Sequence, residues 1–135
     1  MFKMGKGQAG IEYIMLTAVL LIFLIPTVNY ALQTATLNVR LSQLENVVKR
    51  VSKAADAVAA GGPGATEIVI ITMPSGVVGT YVNNSQILIN VSLFGIQPYV
   101  VGFTKVNVSG NLPTIAGTYK MYVKAVSNRE VLIYQ

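Results

Sequence analysis

Hydrophobic and polar positions divide the chain into three stretches with different periods. From Ala9 to Leu32 apolar residues run almost unbroken; Glu12 is the sole charge, and Thr17, Thr27, Asn29 and Tyr30 are polar but uncharged. With no glycine after Gly10 until residue 61, this stretch predicts a helix apolar on every side. As a helix, residues 9–32 would reach about 36 Å and could cross a hydrocarbon core of about 30 Å, whereas the strictly apolar 14–25 would reach only roughly 18 Å. The pattern then changes without a break. Leu37, Leu41, Leu44, Val48, Val51, Ala55 and Val58 recur in alternating steps of four and three, while Arg40, Glu45, Lys49, Arg50, Lys53 and Asp56 fall off that stripe. The helix is therefore expected to continue as an amphipathic one, laid on its own domain or paired in a coiled coil. Glu45 and Lys49 stand four apart in the favourable order, a gain of a few tenths of a kcal/mol at most.

Gly61, Gly62, Pro63 and Gly64 stop the helix, and beyond them the period becomes two. Ile87, Ile89, Val91 and Leu93 alternate with Asn90 and Ser92; Tyr119, Met121, Val123 and Ala125 alternate with Lys120, Tyr122 and Lys124. Further strands are expected over 67–73, 77–82, 99–109 and 131–134, separated by turn signals at 74–76, 83–85, 95–98 and 110–113. The reading is α+β: a long N-terminal helix over 8–60, a Gly/Pro hinge at 61–64, and a small antiparallel, sandwich-like β domain over 65–135.

Composition sharpens this picture. Of the residues 53% are hydrophobic and only 11% charged, against about 25% charged in an ordinary soluble domain, so lipid, neighbouring copies or sugar are expected to cover much of the surface. The formal charge is +5; without Lys3 and Lys6, eight basic residues against five acidic ones leave +3, too little and too dispersed to point to nucleic acid. There is no histidine and no cysteine, so the usual metal ligands, catalytic base and nucleophile are missing, and neither enzyme nor cofactor is expected. The carboxylates Glu45, Asp56, Glu67 and Glu130 suggest no pair flanking a substrate, and the 61–64 glycines lack the lysine and downstream helix of a phosphate loop.

Residues 1–7 are short, basic and glycine-containing, and Lys3 and Lys6 would keep the apolar helix's N-terminus in the cytoplasm. A carboxylate deep in hydrocarbon costs several kcal/mol, so Glu12 needs either an interfacial position or a cation brought to it. The stretch KGQAGIEYIMLTAVLL resembles the N-terminus of an archaeal type IV pilin with a class III signal peptide: a basic leader, Gly, Gln, a small residue, Ser, any residue, Glu and Tyr, then an apolar helix. Gly7 matches the residue before the cut, Gln8 the first mature residue, and Glu12 with Tyr13 the Glu-Tyr pair. Gly10 stands where the pattern has Ser, and Ile14 where it often has Leu.

The resemblance implies cleavage between Gly7 and Gln8 by a prepilin peptidase at the cytoplasmic membrane face. Glu12 would then pair with the freed amine of an adjacent subunit as a homo-oligomeric helical filament grows from an assembly platform. The alternative is that Glu12 rests among lipid headgroups of a single-span anchor. Pro26 removes one helical hydrogen bond; by analogy with bacterial pilins it would mark curvature or melting on assembly, and otherwise it is a tolerated membrane-helix proline.

Asn83-Asn84-Ser85, Asn90-Val91-Ser92 and Asn107-Val108-Ser109 fit the N-glycosylation pattern, and all three lie in the β domain where they can face outward. The expected function is thus a structural subunit of a cell-surface filament, membrane-inserted before assembly and serving adhesion. Two rivals remain: an uncleaved membrane-anchored binding module, and an archaellum filament subunit, which typically has an uncharged stretch where this chain has Glu12 and Tyr13.

Overall fold

A computed structural model describes residues 6–135; most of the expected leader, residues 1–5, lies outside the described residues. One helix, α1 (Lys6–Ala60), is followed by β1 (Thr66–Met73), β2 (Val77–Asn83), β3 (Gln86–Val91), β4 (Tyr99–Phe103), β5 (Asn107–Gly110), β6 (Gly117–Ala125) and β7 (Glu130–Tyr134). The class is α+β, as the change of period implies. Two compact units divide the chain, residues 1–36 and residues 37–135.

In the second unit the stripe expected on α1 is the buried one. Leu44, Val48, Val51, Ala55 and Val58 are fully or almost fully buried, and Leu37 and Leu41 pack at its margin. Val47, Ala54, Ala59 and Ser52 are buried too, which widens the covered arc to roughly 160° at 100° per residue. The helix therefore lies on its own domain. It needs this width because it packs against strands of both sheets: Arg50 Nη1 donates to the Ile70 carbonyl of β1 at 3.3 Å, and Gly102 of β4 lies against Val48.

The helix ends where the breakers begin. Gly61 N–H reaches the Ala57 carbonyl at 3.1 Å, Gly62 takes φ +89°, and Gly64 N–H donates to the Ala125 carbonyl at 2.8 Å, tying residues 61–64 to β6.

The strands form a four-stranded sheet in the order β1-β6-β7-β5 and a three-stranded sheet in the order β2-β3-β4. Alternation places Val69, Ile71, Met73, Ile87, Ile89, Val91, Met121, Val123, Val131 and Ile133 in one core with the helix stripe. On the opposite face Tyr122 and Tyr134, directly paired across β6 and β7, stack with ring centroids 5.4 Å apart.

Three expectations are corrected. The single strand expected over 99–109 is two, because the Thr104 hydroxyl turns back onto the Val106 carbonyl at 2.6 Å and Asp56 holds the Lys105 N–H at 2.9 Å. The sheet domain is not wholly antiparallel: β5 pairs with β7 in parallel, since that same turn sends β5 to a different sheet from β4. The third concerns β3, which stops at Val91 although the alternation runs on through Leu93; Leu93 pairs with Ile96 around Phe94 and Gly95, both in the left-handed region.

Candidate functional site

The first unit holds the residues to which the N-terminal motif points. Its helix is long and apolar enough to cross a membrane by length and composition, and none of the most apolar stretch is buried. Large side chains are exposed around the whole circumference, among them Ile14, Leu16, Ile22, Phe23 and Ile25. A helix that is apolar on every side and covered on none has a surface that water does not favour. Burying some half of each large side chain from Ile11 to Val28 would contribute on the order of 10 kcal/mol in total.

Gln8 and Glu12 stand one turn apart on one face, since i and i+4 positions superpose along a helix. Glu12 is exposed and is the only charge between Gly7 and Arg40. Tyr13, 75% exposed, offers its backbone carbonyl to the Thr17 hydroxyl at 2.8 Å. Thr27 and Thr36 likewise donate to the carbonyls of Phe23 and Leu32, at 2.7 and 2.9 Å, so these hydroxyls are satisfied within the helix. That is what a polar side chain on an apolar helix requires. Pro26 lies inside α1, which continues on both sides of it; the lost bond is the one to the Ile22 carbonyl.

The three sequons lie in the second unit with Asn83, Asn90 and Asn107 all exposed. Asn90, next to last in β3, lies on the face opposite buried Ile89 and Val91, paired in register with Gly79 and Tyr99. Asn83 donates from Nδ2 to the Tyr81 hydroxyl at 3.1 Å and accepts the Asn84 N–H at 2.8 Å. The Ser85 hydroxyl of that sequon donates to Asn107 Oδ1 at 3.4 Å, so the first and third sequons adjoin. Nothing in the sequence signalled that adjacency, because it follows from the β2–β3 turn meeting β5.

Among the described residues no three acidic side chains come together as a metal site would need. No family model, no curated protein and no solved structure matches this chain.

Proposed function

We propose that this chain is the pilin subunit of an archaeal type IV pilus-like surface filament, inserted in the cytoplasmic membrane before assembly and serving adhesion once displayed. The observation that carries the reading is an uncovered apolar half-helix whose only charge, Glu12, stands five residues beyond Gly7 in a Gln-to-Tyr motif. In lipid the half-helix is already solvated. In a filament the same surface would be buried against copies of itself, while the β domain would form the outer sheath with its sequons available for N-linked sugar.

Glu12 supplies the register. An unpaired carboxylate in a low-dielectric helix bundle is costly, and the amine freed at Gln8 of a correctly staggered neighbour relieves that cost where other staggers do not. Prepilin peptidase and an assembly platform are the partners this requires.

The test is the intact mass and N-terminal sequence of the protein sheared from its native cells. A chain beginning at Gln8, or its cyclised form, in a sedimenting fraction is the expected result, with any excess mass removed by Asn→Gln changes at Asn83, Asn90 or Asn107. A chain retaining residues 1–7 and found only in membranes would overturn the reading in favour of an anchored binding module.

A further inference from the structure

The two sheets have four terminal strands, and the protein's own groups contact three of them. On the outer side of β1 the Ile70 carbonyl accepts Arg50 Nη1. Along β5 the Val108 N–H donates to the Asn84 carbonyl, and β2 is held to the chain after β5 by the Thr80 hydroxyl, which donates to the Leu112 carbonyl at 3.0 Å. Side chains and loops placed along an edge are among the ways sheets discourage unwanted pairing.

The strand β4 differs. Val91 N–H donates to the Pro98 carbonyl and Thr104 N–H to the Ser85 carbonyl, so in this ladder the even-numbered residues 98–104 bond to β3. The peptide groups of Tyr99, Val101 and Phe103 therefore point the other way. The next residue of that series, Lys105, has its N–H taken by Asp56, but among the described residues nothing bonds to the other three. They face a groove of about 450 Å³ between β4 and α1, lined on the helix side by Glu45, Val48, Lys49 and Ser52. Of these, the Ser52 hydroxyl is buried and has no hydrogen-bond partner among the described residues.

We propose that β4 of a second copy of this chain fills this edge, antiparallel and centred on Val101. Donors and acceptors that recur at every second residue match an extended backbone, and β4 of a second copy presents the same three peptide groups at the same spacing. Centring on Val101 joins all the free groups, three N–H donors from each copy. It also sets Tyr99 of each copy opposite Phe103 of the other, making cross-strand pairs of two aromatics that are 65% and 70% exposed in the single chain.

Val48 lies against Gly102 and Asp56 against Lys105, so α1 and β4 run the same way and Glu45 lies nearer the Tyr99 end than Lys49 does. Rotation about Val101 exchanges the ends of the groove, so the helix segments flanking the two β4 strands run antiparallel. A two-fold contact closes on two copies, so it is not the repeating contact of a filament. It joins free protomers, or copies from two filaments, and does not depend on the filament reading.

Because the chain contains no cysteine, single cysteines report this register cleanly. The full-length chain is prepared in detergent micelles as Tyr99→Cys, as Phe103→Cys and as an equal mixture, and oxidised. In the proposed register the mixed cysteines have Cα atoms about 5.5 Å apart, within disulfide reach, whereas like cysteines are roughly 14 Å apart. Disulfide dimer in the mixture at least about tenfold above either variant alone is the expected result, given that separations beyond 7 Å are not bridged. Equal yields in all three samples, or no dimer in the mixture, would overturn the proposal. Val101→Pro removes the central N–H at an edge position where proline is tolerated. By analytical ultracentrifugation it should dissociate the pair with an unchanged circular dichroism spectrum; an undisturbed dimer would also overturn the proposal.

Discussion

In a Gly102→Ala variant the new methyl carbon would lie 2.0 Å from Val48 Cγ1 and 3.0 Å from Ser52 Oγ. Apolar carbons are comfortable at about 3.5–4.0 Å, so the contact with Val48 is short by roughly 1.5 Å. Val48 is buried and β-branched, with one strongly preferred χ1 rotamer in a helix, and cannot swing its methyl aside. Either α1 or β4 must shift, and overpacking of this kind costs about 1–3 kcal/mol. For a unit of this size each kcal/mol lowers Tm by about 4–8 °C. Thermal unfolding of the full chain in detergent, followed by tyrosine near-ultraviolet circular dichroism, is the assay; the chain has no tryptophan, and Tyr81, Tyr99, Tyr119, Tyr122 and Tyr134 all lie in the β domain. Val48→Ala alone should also destabilise, by about 1–2 kcal/mol through the cavity it leaves. Combined, the new methyl occupies the vacated space, so the double variant should exceed the additive expectation by about 1 kcal/mol. A Gly102→Ala protein within about 0.5 kcal/mol of the parent, or strict additivity, would refute this account of how the helix seats on β4.

Gly110 has φ +123° and a Cβ there would come within 1.8 Å of the Ile133 carbonyl oxygen, a backbone atom that cannot rotate away. Gly110→Ala should therefore cost more than about 3 kcal/mol, read as a larger Tm loss than Gly102→Ala in the same assay. Phe94 holds φ +51° in an exposed turn, so Phe94→Gly should raise stability by about 1 kcal/mol, measured by denaturant unfolding; a loss would show that the ring packs usefully. On the filament reading, Glu12→Gln should leave membrane insertion intact and abolish sedimentable filaments, scored by fractionation and electron microscopy; normal filament yield would remove Glu12 from assembly.

What the sequence determined by itself is whatever its local periods encode. The four-and-three spacing from Leu37 to Val58 marked the buried helix face, and the alternation around Ile89 and Val123 marked the inward sides of strands. These patterns are legible because one-sided burial forces a period of 3.6 or 2 on neighbouring residues. The uncovered apolar segment, Glu12 at its mouth and the outward sequons were visible for the same reason: each is a property of a short stretch. Tertiary structure alone decided what depends on residues far apart in the chain. The break between β4 and β5 rests partly on Asp56, 49 positions from Lys105. The parallel pairing of β5 with β7 and the need for glycine at 102 are set by which element arrives alongside. So is the open edge of β4: its free peptide groups carry no side-chain signature, and only the order of strands leaves them facing outward.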